Sequence, residues 1–144
     1  MSVVRLELQH LAGVAALEKE VFASPWSEAS LKLLCGESAF GFAALEGDIV
    51  TAYGGMLTVL DEGQITNIAT HPNHRRRGLA AKVLSALLEQ ARAKGIVSVT
   101  LEVRASNAAA IALYQKFGFS AVGKRSRFYT HPTEDALIMQ CILT

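Results

Sequence analysis

The sequence predicts an α/β fold with one mixed sheet. Residues 64–70 have the composition of a strand, residues 77–94 carry an apolar stripe at helical spacing, and residues 97–103 alternate apolar and polar side chains. This succession predicts two parallel strands joined by a right-handed crossover. Turn residues at 46–48 and 61–63 predict flanking hairpins, whose strands are antiparallel. The 144 residues, 51% of them hydrophobic, are expected to form a single domain over 1–144.

The first third of the chain predicts a strand and two helices. Residues 3–8 alternate well enough for a strand. Apolar residues at helical spacing then predict the first helix: Leu11, Val14, Leu17, Val21 and Phe22. Residues 24–27 (Ser-Pro-Trp-Ser) end that helix, and Ser27 is a suitable N-cap for a second helix that extends to about Glu37.

Three strands connected by two short turns are predicted next. They occupy residues 40–45, 49–60 and 64–70, and the last of them ends at His71. Gly54 and Gly55 lie inside the second strand, where glycine is otherwise unfavourable. They predict a bulge or a close approach of another backbone.

The second half of the chain predicts two helices and three strands. The helix at 77–94 ends at Gly95, and its apolar stripe consists of Leu79, Val83, Leu84, Leu87, Leu88 and Ala91. In the strand at 97–103, Val97, Val99, Leu101 and Val103 share one face and Ser98, Thr100 and Glu102 the other. Asn107 is a candidate N-cap for a helix through Phe117, and closing strands are predicted at 119–122 and 134–143.

The charges of the chain nearly cancel, but they are unevenly distributed. The formal net charge is +1, which argues against a general nucleic-acid binder, and the high apolar content excludes a disordered chain. Residues 1–74 have three basic and nine acidic side chains, whereas residues 75–144 have eleven basic and four acidic ones. This asymmetry suggests two ligands of opposite charge, an anion for the second half and a cation for the first.

Several residue types that could mark a site are expected to be ordinary. Cys35 and Cys141 are too few for a disulfide framework and are expected to be buried structural thiols. His71, His74 and His131 have no carboxylate or cysteine at ligand spacing, so no metal site is predicted. Neither a secretory signal nor an apolar run of the ~20 residues that span a bilayer is evident, so we expect a cytoplasmic protein without a membrane partner.

Residues 74–80 (His-Arg-Arg-Arg-Gly-Leu-Ala) form a candidate anion site at the start of the long helix. A helix N-terminus presents unpaired N–H groups and a partial positive charge, and Gly78 leaves room for a ligand to approach the backbone. Consecutive arginines oppose the helix dipole, which favours a bound pyrophosphate over a solvated basic corner. The run is short for a nucleic-acid patch, and it lacks the Gly-Lys-Ser/Thr of a nucleotide-hydrolysing loop.

These residues resemble the signature of the GNAT superfamily of acetyl-CoA-dependent N-acetyltransferases. Residues 75–80 are similar to its Arg/Gln-x-x-Gly-x-Gly/Ala motif, and residues 67–72 (Asn-Ile-Ala-Thr-His-Pro) resemble the strand before that motif. Residues 112–119 (Ala-Leu-Tyr-Gln-Lys-Phe-Gly-Phe) are similar to its helix and following strand. The resemblance implies the GNAT fold, with a mostly antiparallel mixed sheet, a parallel strand pair joined by the coenzyme-binding helix, and helices on both faces.

Other motifs resemble one branch of the superfamily, the ribosomal-protein alanine N-acetyltransferases of the RimI type. They are residues 25–28 (Pro-Trp-Ser-Glu), residues 101–107 (Leu-Glu-Val-Arg-Ala-Ser-Asn), and Tyr129 with residues 134–139. This resemblance implies an acceptor that is the N-terminal α-amine of a protein, namely the N-terminal alanine of a small-subunit ribosomal protein. Direct nucleic-acid binding is not expected.

The resemblance also implies which residues bind acetyl-CoA. Strand backbone groups would pair with the pantetheine arm as an added strand does, and the loop and first helical turn would bind the pyrophosphate. The implied coenzyme-binding residues are Ile68, Ala69, Thr70, Arg75, Arg76, Arg77, Gly78, Leu79, Ala80, Ala81 and Asn107. A backbone N–H near Ile68 would donate to the oxyanion.

Glu102 and Tyr114 are the candidate catalytic residues. An α-amine titrates near ~7.7–8.0, so a carboxylate acting directly or through water suffices as its base, while a phenol could protonate the leaving thiolate. By pattern alone, Glu102 could be merely solvent-exposed, and Tyr114 could belong to a core with Ile111 and Phe117. The family motifs favour Glu102 as base and Tyr114 as acid in a direct transfer without an acetyl-enzyme.

Trp26 and Tyr129 are the candidate acceptor-binding residues. Trp26 could line an acceptor groove, as the resemblance implies, or pack between helices. Tyr129, together with Arg125 and Arg127, could flank the acceptor or belong to a polar strand face. Two other functions stay open: acetylation of a small-molecule amine, and a non-catalytic acetyl-CoA-binding module. Retention of both Glu102 and Tyr114 disfavours the module.

Overall fold

The computed structural model describes residues 1–143, in which seven strands form one sheet in the order β1-β2-β3-β4-β5-β7-β6. The strands are β1 (Ser2–Arg5), β2 (Ala39–Glu46), β3 (Ile49–Val59), β4 (Glu62–Thr70), β5 (Ser98–Arg104), β6 (Ser120–Tyr129) and β7 (Glu134–Ile142). The helices are α1 (Leu11–Val21), α2 (Glu28–Leu31), α3 (Leu79–Ala93) and α4 (Ala108–Lys116). The β4–β5 pair is parallel and the other pairs are antiparallel, which confirms the predicted mixed sheet. Thr144, the last residue of the predicted domain, lies outside the described residues.

Helices cover both faces of this sheet. The apolar stripe of α3 packs with α4 over one face, against Met56, Val99 and Met139. On the opposite face α1 and α2 bury Val14, Leu17 and Leu31 against Tyr53 and Ala43. Full burial of one such aliphatic side chain stabilises the fold by about 1.5–3 kcal/mol. Burial of side chains in these two layers is therefore the main favourable contribution to the stability of the fold. None of the helices in residues 1–143 has the length and apolar character of a membrane span.

The parallel strands β4 and β5 are paired over only three residues. Glu62, Gly63 and Gln64 pair with Ser98, Val99 and Thr100, and the two strands separate beyond that point. On its other edge β4 has a bulge, because Gly54 pairs with Ile68 and Met56 with Ile65. The bulge that the glycine pair predicted as one alternative is therefore confirmed. A Cβ on Gly55 would lie 2.7 Å from the side-chain oxygen of Thr66, so glycine is needed at this position. The bulge and the separation together open the sheet at its centre.

Several element boundaries differ from the sequence prediction. The predicted second helix ends early, because α2 stops at Leu31 and a 3-10 turn (Lys32–Cys35) follows. Cys35 at the end of this turn is exposed, so its predicted burial was wrong, whereas Cys141 is buried. At the N-terminus, β1 ends at Arg5 and a 3-10 turn (Leu8–His10) leads into α1.

The strand predictions erred at turns and at the sheet edge. β4 begins at Glu62 within the predicted turn 61–63, and β5 begins at Ser98, which leaves Val97 half-exposed. The largest error concerns β6, which extends to Tyr129 rather than ending at 122. This edge strand is exposed over most of its length, so its sequence has no apolar alternation to reveal it.

Candidate active site

A cavity of about 840 Å³ occupies the place where β4 and β5 separate. Its walls come from β4, β5, the connection between α1 and α2, and the segment that joins β6 to β7. Six residues singled out in the sequence line it together: Trp26, Ile68, Glu102, Asn107, Tyr114 and Tyr129. The structure therefore brings both predicted catalytic side chains and both predicted acceptor-side aromatic residues into one space.

The loop before α3 has the backbone geometry of an anion site. Arg76 and Gly78 both adopt left-handed conformations, with φ of 67° and 73°. Gly78 is the N-cap of α3 and provides no side-chain cap, so the first N–H groups of this 15-residue helix have no such partner. Alternation of left-handed residues in a loop turns successive N–H groups toward one point, which suits a phosphate. Arg75 and Arg76 are exposed beside it.

Arg77 makes side-chain contacts with the β2–β3 hairpin and with His74. Its guanidinium donates to Glu46 Oε1 at 3.3 Å and lies 3.2 Å from His74 Nδ1. Glu46 Oε2 also lies 3.3 Å from His74. Glu46 belongs to the β2–β3 hairpin, far from the loop in sequence, so sequence reasoning missed it. Its contacts join the hairpin to the loop that precedes α3.

Ile68, Ala69 and Thr70 lie on the part of β4 that has separated from β5. They pair with Gly54, Tyr53 and Ala52 of β3 on one edge. Because the β4–β5 register ends at Gln64, the opposite edge faces the opening rather than β5. An extended ligand arm can bond to such an edge as an added strand does. Ala69 is 2% exposed as a whole residue, and of these three residues Ile68 lines the cavity.

Glu102 lies on the face of β5 that borders the cavity. Its side chain is 18% exposed, and Oε1 is 3.5 Å from Nε of Arg125 on β6. The alternative of a merely solvent-exposed glutamate does not fit this burial, while the role of Glu102 as base stays a prediction. A half-enclosed carboxylate beside a cavity is placed to accept a proton from a bound amine.

Tyr114 is both a core residue and a cavity residue. The ring belongs to the α3-side cluster and lies 5.8 Å from the ring of Phe119. Burial, and secondarily the neighbouring Tyr129, raises the pKa of Tyr114 to about 12. The phenol is therefore protonated at neutral pH and available as a proton donor. The two alternatives that the sequence left open for Tyr114 are compatible.

Asn107 caps α4, as its position in the sequence predicted. Its side-chain oxygen accepts from the N–H of Ala110 at 3.2 Å, while the residue also borders the cavity. Capping holds the start of α4, and with it Tyr114 about two turns later, in a fixed position. Contact of Asn107 with a coenzyme stays a prediction.

Arg104 organises the segment between β6 and β7. Its guanidinium donates to the carbonyls of Thr130 and Pro132 at 2.9 and 3.0 Å, and lies 4.6 Å from the Tyr129 ring centroid. Glu134 lies 3.3 Å from Arg104 and accepts from the Ser106 N–H at 2.6 Å. The bonds from Ser106 and Arg104 lower the pKa of Glu134. Sequence reasoning did not assign Arg104 this role, although it lies on the same strand face as Glu102.

Tyr129 and Trp26 face the cavity from its two outer walls. Burial, followed by the nearby Glu102 carboxylate, raises the pKa of Tyr129, so this phenol is neutral. Trp26 also packs against the α1–α2 cluster, as one of its two predicted alternatives has it, while its contact with an acceptor stays a prediction. This part of the cavity suits a cationic or polar group of a ligand better than an anion. It presents the phenol of Tyr129, the indole of Trp26 and the carboxylates of Glu102 and Glu134.

Comparison with known proteins agrees with this geometry. Residues 11–119 match the Acetyltransferase (GNAT) family. The chain is 38% identical over 136 residues to "[Ribosomal protein bS18]-alanine N-acetyltransferase" of Escherichia coli K12, with 93% of this chain and 92% of the relative covered. It is 35% identical over 140 residues to the putative protein of that name from Bacillus subtilis, with 96% and 93% covered. The crystal structure of the ribosomal-protein-S18-alanine N-acetyltransferase from Escherichia coli superposes with a TM-score of 0.91 at 35% identity, covering 99% of this chain and 94% of that one.

Proposed function

Because this chain belongs to the GNAT family of acetyltransferases, we propose that it acetylates the N-terminal alanine of ribosomal protein bS18 with acetyl-CoA. The observation that carries the proposal is the cavity between β4 and β5, which brings a carboxylate and a buried phenol together. The loop with the geometry of an anion site follows the same strand, β4. A ribosomal acceptor places the reaction in the cytoplasm.

The coenzyme side of the site fits acetyl-CoA. The loop over residues 75–78 and the first turn of α3 bind the pyrophosphate, and the separated edge of β4 pairs with the pantetheine arm. The thioester then reaches the cavity beside Ile68, whose neighbourhood supplies a backbone donor to the carbonyl oxygen.

The transfer itself needs a base and an acid. Glu102 takes the proton of the α-ammonium, directly or through water, and the free amine attacks the thioester carbonyl. A C–N bond forms, the C–S bond breaks, and Tyr114 gives its proton to the departing thiolate. No acetyl-enzyme forms, so a trapped acetylated side chain on the reaction path would contradict this mechanism.

The acceptor enters between Trp26 and the segment that begins at Tyr129. Trp26 and Tyr129 line the cavity from elements outside the central strands, and the N-terminus of a peptide placed between them can reach Glu102. The carboxylates of Glu102 and Glu134 favour a cationic N-terminus, and Arg104 fixes the wall around it.

The test is an acceptor assay with purified protein and acetyl-CoA. A peptide with the N-terminus of bS18 should gain one acetyl group on its α-amine, located by fragment mass spectrometry. The same peptide with a blocked α-amine should gain none. Turnover of polyamines but not of the peptide would favour a small-molecule acetyltransferase, and coenzyme binding without any turnover would favour a binding module.

A further inference from the structure

Glu18 is a fully buried carboxylate on α1 that makes hydrogen bonds to three separate elements. Its relative exposure is 0%. Oε1 accepts from the backbone N–H of Trp26 at 2.8 Å, in the connection between α1 and α2. Oε2 accepts from the hydroxyl of Tyr53 on β3 at 2.5 Å and from the side-chain amide of Asn67 on β4 at 3.0 Å.

Each donor that reaches this carboxylate is neutral. A backbone N–H and an amide NH₂ can only donate, so the arrangement fits the ionised carboxylate, which can only accept. Within residues 1–143, Glu18 has no ion pair with Lys, Arg or His. Burial of a charge without a cation is costly unless hydrogen bonds compensate for lost hydration. A hydrophobic residue would satisfy the core at lower cost, so the carboxylate serves a purpose other than packing.

The three donors connect Glu18 to the acceptor wall of the cavity. Trp26 and Asn67 both line the cavity, whereas Glu18 lies behind them. Asn67 belongs to the bulge of β4, where Gly54 pairs with Ile68 and Met56 with Ile65. Glu18 therefore fixes the position of an outer wall residue relative to the strand bulge that forms the cavity floor.

We propose that Glu18 is a positioning residue for the acceptor, acting through Trp26 and Asn67. The inference rests on the proposed function for the identity of the acceptor, and on the contacts alone for the positioning. Without the carboxylate, the hydrogen bonds that connect the α1–α2 connection with β4 through Glu18 are lost. The α1–α2 connection must then become ordered when the acceptor binds. Ordering a loop on binding weakens affinity for the ligand that the loop contacts. The loop at the start of α3 does not share these contacts, so the anion site proposed for the pyrophosphate keeps its geometry.

The variant Glu18→Gln tests this role at nearly constant volume. One carboxylate oxygen becomes an NH₂ group that faces a donor, so at least one of the three bonds is lost. We expect the KM for the acceptor peptide to rise about tenfold, equivalent to about 1.4 kcal/mol. The kcat and the KM for acetyl-CoA should change less than about threefold. Glu20→Gln, an exposed glutamate on the same helix, is the matched control and should behave as the parent protein.

Tryptophan fluorescence supplies a readout that does not depend on activity. Trp26 is the single tryptophan of the chain, so its emission and its quenching by acrylamide report on the wall directly. Quenching should increase in Glu18→Gln and not in Glu20→Gln. Tyr53→Phe removes one hydrogen-bond donor to Glu18 and keeps the ring, so quenching should increase less than in Glu18→Gln. This variant should fold even if Glu18→Gln does not.

The outcomes separate this proposal from the proposed function. Unchanged quenching and unchanged peptide KM in both Glu18→Gln and Tyr53→Phe, with only a lower Tm, would overturn the positioning role. If the parent protein acetylates no peptide but quenching rises in the variants, the positioning role stands and the acceptor assignment fails.

Discussion

The two sides of the cavity are built in different ways. On the side that we propose for the coenzyme, the surface consists of backbone groups at the start of α3 and along β4. On the acceptor side, side chains from other elements hold the wall: Glu18 fixes the α1–α2 connection, and Arg104 fixes the segment after β6. A surface made of backbone groups depends on local sequence and tolerates substitution of many side chains. A wall held by distant side chains depends on the identity of those side chains, so a single substitution can alter it. Variants should therefore affect one substrate and spare the other.

The largest effect is expected where both sides meet, at Glu102. In Glu102→Gln the base is lost, and kcat should fall by about 10²- to 10⁴-fold, the usual contribution of general base catalysis. Acetyl-CoA affinity, measured by calorimetry, should stay within about threefold of the parent value. The control is Glu89→Gln on the exposed side of α3. A kcat within about threefold of the parent value would remove Glu102 from the mechanism.

A smaller loss is expected for the acid. A thiolate leaves more readily than an amine, so Tyr114→Phe should lower kcat by only about 10- to 100-fold. Because the ring packs beside Phe119, thermal unfolding must be measured on the same sample. Full activity in a folded Tyr114→Phe protein would contradict the acid role.

The pH profile tests the acid without a substitution. The pKa of Tyr114 is raised to about 12, so the phenol keeps its proton to strongly alkaline pH. The α-amine loses its proton near ~7.7–8.0. Thus kcat/KM should rise through pH 8 and stay level to pH ~10, where an ordinary phenol would be half ionised. A fall centred near pH ~10 in the parent protein but absent from Tyr114→Phe would show that the acid ionises early.

Arg104→Lys should affect the acceptor side alone. Lysine keeps the charge but cannot reach two carbonyls with one planar group, so the segment over residues 130–132 loses its anchor. We expect the peptide KM to rise about tenfold and the acetyl-CoA KM to stay constant. Arg92→Lys, an exposed arginine at the end of α3, is the control. Equal increases in the KM for the peptide and the KM for acetyl-CoA would contradict the prediction that Arg104 acts on the acceptor side alone.

Gly78→Ala should give the smallest effect, on the coenzyme side. A Cβ there meets no atom within 4 Å, so the penalty comes only from the left-handed φ of 73°. That penalty is about 1 kcal/mol, which corresponds to roughly 4 °C in Tm and at most about fivefold in acetyl-CoA KM. Gly123→Ala, where the nearest atom is 3.7 Å away and φ is ordinary, should change neither. A rise in peptide KM would be the contradictory result.

The same difference between the two sides explains what the sequence could predict. The stripe from Leu79 to Ala91 and the loop before it are local patterns, so α3 and the position of the candidate anion loop could be predicted directly. Glu102 and Tyr114 were found as residues, but their common cavity depends on the separation of β4 from β5, which no local pattern reveals.

The acceptor side was largely hidden because its determinants are distant in sequence. Glu18 and Tyr53 are 35 residues apart, and Glu18 and Asn67 are 49 apart. A signal for Glu18 existed in its spacing from Val14, since a glutamate on the apolar face of an amphipathic helix needs partners. For β6 beyond residue 122, no signal existed, because an exposed edge strand is under no constraint to alternate.

Because the pairing of β4 with β5 is short, binding of acetyl-CoA along β4 would be coupled to the unfolding equilibrium of the protein. Only three residue pairs connect the two strands, and the arm of acetyl-CoA would continue the sheet where they end. A ligand that binds the native state alone adds about 2.7 kcal/mol of stability at a concentration of 100 Kd. The free energy of unfolding, and with it the Tm, would then rise with the concentration of acetyl-CoA.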